Sequence, residues 1–344
     1  MPGTIICCLL IACSVFVSLG SEIILTGSGA TFPYPLYKKW IEEYQNQTGT
    51  RIDYKPIGSG KGIKQLLDKE VDFGATDAYL TEQELAKIKE PIIHIPTCIG
   101  AVVIAYNLPK TPNLQFPPEL LADIFLGRVQ KWTDKRIVKA NPTANLPAID
   151  IAIIHRSESS GTSFIFTSYL CEISEYWEKN IGSGKVVRWP TGMGVEGSPG
   201  IVEFIKKIPG SIGYVELSHA QQHNLPTAAI RNKAGAFIVP TMESVSSAAQ
   251  VNIPLHTRKL LVNTDATHGY PISAFTYLIF YREQAYDSRP GERAMIMQDF
   301  FEWMLKKGQQ YTSQLYYAPL PGNAVQRANE LVQSMTFSGK PLKK

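Results

Sequence analysis

The first twenty residues of the sequence contain no lysine, arginine, aspartate, glutamate or histidine. Within them, Ile5 to Leu19 form a mostly apolar run. This run is shorter than the ~20 apolar residues that a membrane-spanning helix needs. It leads into Ser18-Leu19-Gly20, which places small residues at the two positions that a signal peptidase inspects. We therefore predict a signal peptide over residues 1–20 and an exported mature chain.

The same segment has a second interpretation. Leu10-Ile11-Ala12-Cys13 resembles a lipobox, in which Cys13 would carry a lipid anchor. That alternative would leave the apolar residues 14–19 on the mature chain as a tether, so we favour removal of the segment after Gly20. Both interpretations predict export.

Cysteine is also scarce. Of the five cysteines, only Cys98 and Cys171 follow residue 20. Two cysteines make no disulfide framework, and both lie among apolar neighbours, which favours two buried free thiols. The sequence does not decide whether the two meet in the fold.

Neither sign of charge is in large excess, since 34 lysines and arginines against 30 aspartates and glutamates give a formal net charge of +4. A nucleic-acid-binding domain carries a much stronger basic patch, so we expect no nucleic-acid partner. His219 and His223 are spaced like a pair of metal ligands on a helix, but no third ligand follows at a known spacing. We expect exposed histidines there, with neither a metal site nor a cofactor.

The apolar pattern alternates between short strand-like runs and longer helix-like segments, which predicts an α/β fold with largely parallel strands. The length suggests about two domains. Two long apolar strands, near Cys98 to Asn107 and Tyr270 to Tyr281, are typical of strands buried on both faces. If they cross between the domains, lobe I comprises residues 21–98 plus 272–344 and lobe II residues 99–271, with a ligand cleft between them.

Three predicted strand-to-helix turns are rich in glycine, serine and threonine. They are residues 26–32, 58–62 and 157–163. A helix N-terminus offers unpaired backbone N–H donors and a partial positive charge, so each turn is a potential anion site. Serine and threonine are also ordinary helix caps, which explains any one of the turns without a ligand. Three such turns in one chain favour anion binding.

Arg156 and Asp77 make this interpretation more specific. Arg156 ends the strand before the third turn, where its planar guanidinium can bind a tetrahedral oxyanion through two N–H groups. Its alternative role is an ion pair with Glu158. Asp77 repels an anion unless the anion carries a proton that the carboxylate can accept. Phosphate near neutral pH carries such a proton and sulfate carries none, so Asp77 favours phosphate. A capping or turn role for Asp77 is the alternative.

At these turns the sequence resembles the periplasmic phosphate-binding proteins of ABC importers, the PstS family. The matching motifs are Gly27 to Pro33, Val71 to Asp77, Ile124 to Gly127 with Lys131-Trp132, Ser160 to Phe164, Gly210 to Val215, and Tyr270 to Ile272. The resemblance covers nearly all of the mature chain. It implies a type II periplasmic binding protein fold, in which each lobe is a mixed, mostly parallel sheet flanked by helices and two crossover strands form the hinge.

The resemblance also implies the site. The residues that it assigns to phosphate are Thr31, Phe32, Ser59, Asp77, Arg156, Ser160, Gly161 and Thr162. Glu158 stands where an aspartate often pairs with the arginine, and Lys61 stands where a small residue is more usual. The implied protein is a periplasmic monomer that delivers phosphate to the membrane permease subunits of an ABC importer and catalyses no reaction.

Three alternatives stay open at this point. The site could select another tetrahedral oxyanion, such as sulfate or arsenate. A phosphatase is a second alternative, because a site that holds phosphate needs only an activated nucleophile to become one. The Gly-x-Ser-x-Gly nucleophile motif is absent around Ser160, however, where Glu158 and Thr162 take the glycine positions. A surface or adhesion role is a third alternative.

Overall fold

The computed structural model describes residues 23–343. The predicted signal peptide and Cys13 therefore lie outside the described residues. Within residues 23–343, no helix combines the length and the apolar character needed to cross a membrane.

Strands and helices alternate along the chain, as predicted. The strands are β1 (Ile24–Gly29), β2 (Arg51–Lys55), β3 (Phe73–Thr76), β4 (Ile92–Tyr106), β5 (Gln115–Phe116), β6 (Ala152–Arg156), β7 (Met193–Val195), β8 (Ser211–Glu216), β9 (Ala229–Arg231), β10 (Phe237–Ile238), β11 (Leu260–Val262), β12 (Ile272–Tyr281), β13 (Thr336–Phe337) and β14 (Lys340–Pro341). The helices are α1 (Tyr34–Thr48), α2 (Ser59–Leu67), α3 (Glu82–Leu85), α4 (Pro118–Phe125), α5 (Lys135–Ala140), α6 (Gly161–Ile173), α7 (Glu175–Asn180), α8 (Gly197–Lys207), α9 (Leu217–Gln222), α10 (Met242–Ala248), α11 (Gly291–Leu305) and α12 (Gly322–Gln333), with 3-10 turns at Lys307–Tyr311 and Ser313–Leu315.

One nine-stranded mixed sheet organises the fold, with the strand order β2-β1-β3-β12-β4-β8-β6-β7 and with β11 paired to β12. The predicted α/β class is confirmed. Parallel pairing within this sheet is found toward its two ends, where β1 pairs with β2 and β3, and β6 pairs with β7 and β8. The central pairs β3–β12, β12–β4 and β4–β8 are antiparallel. We call β1, β2 and β3 the β1 side, and β6, β7 and β8 the β6 side.

The strands β4 and β12 join the two sides. Residues of β4 from Ile92 to Ala101 pair with β12, and residues from Val102 to Tyr106 pair with β8. Thus β4 runs from the β1 side into the β6 side, as predicted for a crossover strand. It begins at Ile92, several residues before the predicted start near Cys98. The lobe boundaries at 98/99 and 271/272 stay a prediction.

Helix α1 illustrates how the sequence pattern produces the packing. Leu36, Tyr37, Trp40 and Tyr44 recur at helical spacing and are buried against the β1 side. The Trp40 indole N–H donates to the Gly308 carbonyl oxygen at 2.6 Å, so the buried ring leaves no polar atom unpaired. The helix begins at Tyr34 and has Pro35 in its first turn, where a proline is well tolerated.

The buried carboxylate of Asp72 fixes the β1 side. Arg289 Nη1 and Arg293 Nε both donate to Asp72 Oδ1 at 2.6 Å, and Thr26 N–H donates to Oδ2 at 2.6 Å. These bonds tie the segment before β3 to β1 and to the neighbourhood of α11. Asp72, part of the motif that carries the family resemblance, is therefore a structural residue, because a buried charge needs partners of this kind.

Two expectations about single residues need correction. Cys98 and Cys171 are both free, but only Cys98 is buried and Cys171 is half-buried. His219 is buried rather than exposed, because α9 packs against β4, β8 and α8. Among the described residues, no group of three or more histidine, cysteine, aspartate and glutamate side chains is arranged to hold a metal ion.

Candidate functional site

The polar turns meet at the carboxyl ends of the parallel strands. On the β1 side these are the turns after β1 and β2 and the residue after β3, and on the β6 side they are the segments after β6, β7 and β8. Ligands of open α/β sheets bind beyond the carboxyl ends of strands, at points where the strand order switches. The sheet therefore brings turns from distant parts of the sequence to one position between its two sides.

The turn after β1 presents Thr31 and buries Phe32. Thr31 Oγ1 lies 2.9 Å from Ser198 Oγ on α8, across the cleft from the β1 side. The Phe32 ring is fully buried, and its carbonyl oxygen accepts a 2.6 Å bond from the Tyr317 hydroxyl. A Cβ atom on Gly100 would lie 2.3 Å from this ring, so Gly100 is required for Phe32 to fit against β4. The Tyr317 bond and the packing of the Phe32 ring against β4 therefore hold this turn in place, and the Thr31 side chain faces the β6 side.

Ser59 and Asp77 form a buried pair on the β1 side. Ser59 is the first residue of α2, and Asp77 follows β3 directly. Ser59 Oγ donates to Asp77 Oδ2 at 3.3 Å and accepts from the Asp77 backbone N–H at 3.3 Å. Thr276, on the crossover strand β12, donates to Asp77 Oδ1 at 2.6 Å. The carboxylate is therefore fixed in position by residues of two further elements.

Burial raises the pKa of Asp77 to about 7. The nearby Glu216 charge raises this pKa further, whereas the hydrogen bonds from Thr276 and Ser59 and the Arg156 charge lower it. At pH 7 about half of the Asp77 carboxyl groups are therefore ionised, and above pH 7 most of them are. The ionised form is the one that can accept a hydrogen bond from a protonated anion, which is the role predicted for Asp77 from the sequence.

Arg156 is the buried cation of the site, and it ends β6 with 3% of its surface exposed. Its Nε donates to Glu158 Oε1 at 2.7 Å, and Nη2 contacts the same oxygen. Its Nη1 donates to Thr162 Oγ1 and Ser198 Oγ, each at 3.1 Å, and Nη2 donates to Thr31 Oγ1 at 3.3 Å. Glu158 therefore orients the guanidinium, as predicted for the ion pair, while the two Nη atoms point toward hydroxyls from both sides of the cleft.

The N-terminus of α6 supplies the remaining predicted residues. Ser160 caps the helix, and its Oγ accepts from the Ser163 backbone N–H at 3.2 Å. A Cβ atom on Gly161 would lie 2.4 Å from Ser59 Oγ and 2.5 Å from Asp77 Oδ2. The helix end therefore approaches the β1 side so closely that only glycine fits at this position. The free backbone N–H groups and the partial positive charge of this helix end face the cleft between the two sides.

The structure brings the predicted residues together in one buried cluster. Thr31, Ser59, Asp77, Arg156, Ser160 and Thr162 are each at most 8% exposed, and hydrogen bonds or close approaches link the β1 side to the β6 side. Lys61 lies outside this cluster, and its Nζ lies 3.0 Å from Glu196 Oε1 at the exposed mouth of the cleft. A cavity of about 300 Å³ opens beside this ion pair and reaches Thr31 and Glu158.

Sequence reasoning missed three residues of the cluster, Ser198, Thr276 and Glu216. Ser198 lies in the first turn of α8, in the segment Glu196 to Gly200, which is rich in glycine and serine like the three predicted turns. Glu216 is the last residue of an apolar strand, as Arg156 is. A charged residue at that position could have indicated that Glu216 belongs to the site. Thr276 lies within the apolar run of β12, where nothing local distinguishes it from its neighbours.

Together, the fold and this site define a two-sided α/β binding protein whose ligand cleft lies between strands of both sides. Residues 17–307 match the family model described as the PBP superfamily domain. The phosphate-binding protein PstS of Pasteurella multocida is 39% identical over 308 residues, which cover 88% of this chain and 88% of that protein. The PstS protein of Methanocaldococcus jannaschii is 38% identical over 84% of this chain and 80% of its own length.

A solved structure shows the same fold. The phosphate-binding protein of Stenotrophomonas maltophilia superposes with a TM-score of 0.68 over 90% of this chain and 94% of that one, at 17% identity. The chain belongs to the PstS family of phosphate-binding proteins, within the PBP superfamily. The resemblance inferred from the motifs is therefore confirmed at the level of the family and the fold.

Proposed function

We propose that this chain binds inorganic phosphate in the cleft between the β1 side and the β6 side and delivers it to the membrane permease of an ABC importer. The observation that carries the proposal is the convergence of Arg156, Asp77 and the N-terminus of α6 in one buried cluster. A cation, a proton acceptor and neutral N–H and hydroxyl donors are the groups that recognise a protonated tetrahedral anion.

The assigned ligands of phosphate are Thr31, Phe32, Ser59, Asp77, Arg156, Ser160, Gly161 and Thr162. Neutral donors come from the turn after β1 and from the starts of α2 and α6, and Arg156 supplies the charge. Glu158 orients Arg156 and is assigned no contact with the anion. The hydrogen bonds between Arg156 and hydroxyls of both sides support this assignment.

Selectivity follows from Asp77. An ionised carboxylate accepts the proton of hydrogen phosphate, whereas sulfate would place an oxygen lone pair against it in a dry site. Burial raises the pKa of Asp77 to about 7, so the ionised form that this role requires predominates above pH 7. Sulfate is therefore the anion that the proposal excludes. Arsenate, which carries the same proton as phosphate, is not excluded by this mechanism.

In this proposal, transport depends on closure of the two lobes over the bound anion. The two lobes, residues 21–98 plus 272–344 and residues 99–271, would move about β4 and β12 and enclose the anion. The closed form would then report occupancy to the permease. Export to the periplasm through a signal peptide at residues 1–20 belongs to the same proposal, as does the absence of any covalent step. The names of the PstS relatives support a binding protein rather than an enzyme.

The test is calorimetric titration of phosphate into protein freed of bound phosphate, repeated in excess sulfate. The proposal expects tight one-to-one binding of phosphate that sulfate leaves unchanged. Equal competition by sulfate would remove Asp77 as the selectivity element. Absence of any phosphate binding would reject the proposed function.

A further inference from the structure

Glu216 is a buried carboxylate beside the proposed phosphate site, and the proposed function gives it no role. It is the last residue of β8, and only 1% of its surface is exposed. Its Oε1 accepts a 2.6 Å hydrogen bond from the Thr162 hydroxyl. Its Oε2 is buried and has no hydrogen-bond partner among the residues that the structure describes. An ionised carboxylate in this condition is costly, because burial of a charge without partners is strongly unfavourable.

The hydrogen bond to Glu216 determines whether the Thr162 hydroxyl can donate a hydrogen bond to an anion. A hydroxyl has one proton to donate and two lone pairs that accept. The single proton of Thr162 points to Glu216 Oε1, and one lone pair accepts from Arg156 Nη1 at 3.1 Å. While Glu216 is ionised, Thr162 Oγ1 therefore has only a lone pair left. A phosphate oxygen also presents lone pairs, so the two atoms repel each other unless a proton is added.

The charges around the site also favour the addition of a proton. Within residues 23–343, Arg156 is the only buried lysine or arginine. It is shared by Glu158, whose Oε1 it contacts, and by Glu216, whose Oε1 lies 4.0 Å from Nη1. Asp77 adds a third carboxylate, and a phosphate dianion adds two further negative charges. A buried cluster with this excess of negative charge is unstable unless cations or protons enter it.

Several titratable groups surround Glu216. Arg156 approaches from β6 and Asp77 from the end of β3, and the charge of Glu216 acts on Asp77. Tyr317, after the second 3-10 turn, is fully buried, and the charge of Glu216 also acts on it. His219, on the following helix α9, directs Nε2 to the Thr31 carbonyl oxygen at 3.3 Å. Two of these groups accept the single proton of a hydroxyl of the proposed site: Asp77 from Ser59 at 3.3 Å and Glu216 from Thr162 at the shorter distance of 2.6 Å.

We propose that Glu216 is a specificity-determining residue that couples the capture of phosphate to the uptake of one proton by the Thr162–Glu216 pair. The inference rests on the proposed function. A proton from solvent bonds to the Glu216 carboxylate, and the neutral acid then donates to Thr162 Oγ1. Thr162 turns its own hydroxyl proton to the anion. No other bond is made or broken, and the added proton offsets one negative charge of the bound dianion.

The test is calorimetric titration of phosphate at pH 8.5 in two buffers with different heats of ionisation. This pH lies above the pKa of about 7 of Asp77, so Asp77 is already ionised. The parent protein is expected to take up about one proton per phosphate at this pH. In Glu216→Gln the amide donates to Thr162 without a proton from solvent. This variant is expected to bind phosphate with no proton uptake.

Glu203→Gln is the matched control, because Glu203 is exposed on α8 and pairs with Lys207. It should show the proton uptake of the parent. Proton uptake that persists in Glu216→Gln would overturn the inference, and so would phosphate binding by the parent with no uptake. A parent that binds no phosphate would instead reject the proposed function. If Glu216→Gln fails to fold, as judged by circular dichroism, Thr162→Val decides: loss of the proton supports the inference and its retention overturns it.

Discussion

Thr276 Oγ1 donates a 2.6 Å hydrogen bond to Asp77 Oδ1, which joins the crossover strand β12 to the carboxylate at the end of β3. This bond occupies one oxygen of Asp77, and the Ser59 hydroxyl donates to the other at the longer distance of 3.3 Å. Asp77 Oδ2 therefore has the weaker partner and is the oxygen that faces Gly161 across the cleft. A carboxylate held in this way presents a fixed acceptor to any anion that enters.

Asp77→Asn should weaken the discrimination between phosphate and sulfate. The amide replaces a fixed acceptor by a group that also donates, so sulfate no longer meets only lone pairs. We expect the preference for phosphate over sulfate to fall by about a hundredfold or more, measured by competition calorimetry. Asp68→Asn is the control, because Asp68 is exposed at the end of α2 and pairs with Lys64. A variant that still rejects sulfate as the parent does would remove Asp77 from the selectivity mechanism.

The raised pKa of Asp77 should also appear in the stability of the phosphate-free protein. The folded carboxyl titrates near pH 7, whereas in the unfolded chain it titrates near its ordinary value of 3.8. Between these values the folded state binds more protons, so the free energy of unfolding falls as pH rises, by roughly 4 kcal/mol from this group. Denaturant unfolding at intervals from pH 4 to 8 measures the trend. The difference between parent and Asp77→Asn isolates it, and a difference that does not change with pH would contradict the assignment.

Arg156→Ala should abolish most of the phosphate affinity. Removal of the guanidinium leaves the anion without a cation, and it leaves the buried Glu216 and the partly buried Glu158 without their cationic partner. We expect a loss of about a hundredfold or more in affinity and a destabilisation of about 3 kcal/mol in the phosphate-free protein. Arg128→Ala is the control, since Arg128 is exposed and bonds Asp123 outside the site. Phosphate affinity equal to that of the parent would show that Arg156 does not contact the anion.

Gly161→Ala should obstruct closure of the cleft. The added Cβ would lie 2.4 Å from Ser59 Oγ and 2.8 Å from Asp77 Cβ, both on the β1 side. Since such overpacking typically costs 1–3 kcal/mol, we expect phosphate affinity to fall by about tenfold or more. Small-angle X-ray scattering should also show a more open form with phosphate present. Gly322→Ala, at the open start of α12 where nothing lies within 4 Å, is the control. Unchanged affinity and compaction would contradict the closed arrangement.

The fold was largely predictable because periodic apolar runs report burial directly. The long strands β4 and β12 were recognised from such runs. Boundaries were less accurate: β4 begins at Ile92, several residues before the predicted start near Cys98. The central antiparallel pairing of β12 with β3 and β4 was not visible, because strand order depends on contacts between residues that are far apart in the sequence.

The candidate site was predictable where its chemistry is local. The glycine-rich turns, Arg156 and Asp77 each stand in a recognisable context at the end of a strand. Thr276 was not predictable, since its role comes from a hydrogen bond to a residue 199 positions away. The burial of His219 was missed for a similar reason, because it depends on the packing of α9 against β4 and β8.

The central claim is that phosphate binds between the two sides of the sheet at this cluster. A crystal structure of the protein with phosphate tests it most directly. The account predicts tetrahedral density enclosed by the turn after β1, Ser59, Asp77, Arg156 and the N-terminus of α6, with an oxygen within hydrogen-bonding distance of Asp77. Phosphate bound elsewhere, or an anion in this cleft that touches neither Arg156 nor Asp77, would contradict it.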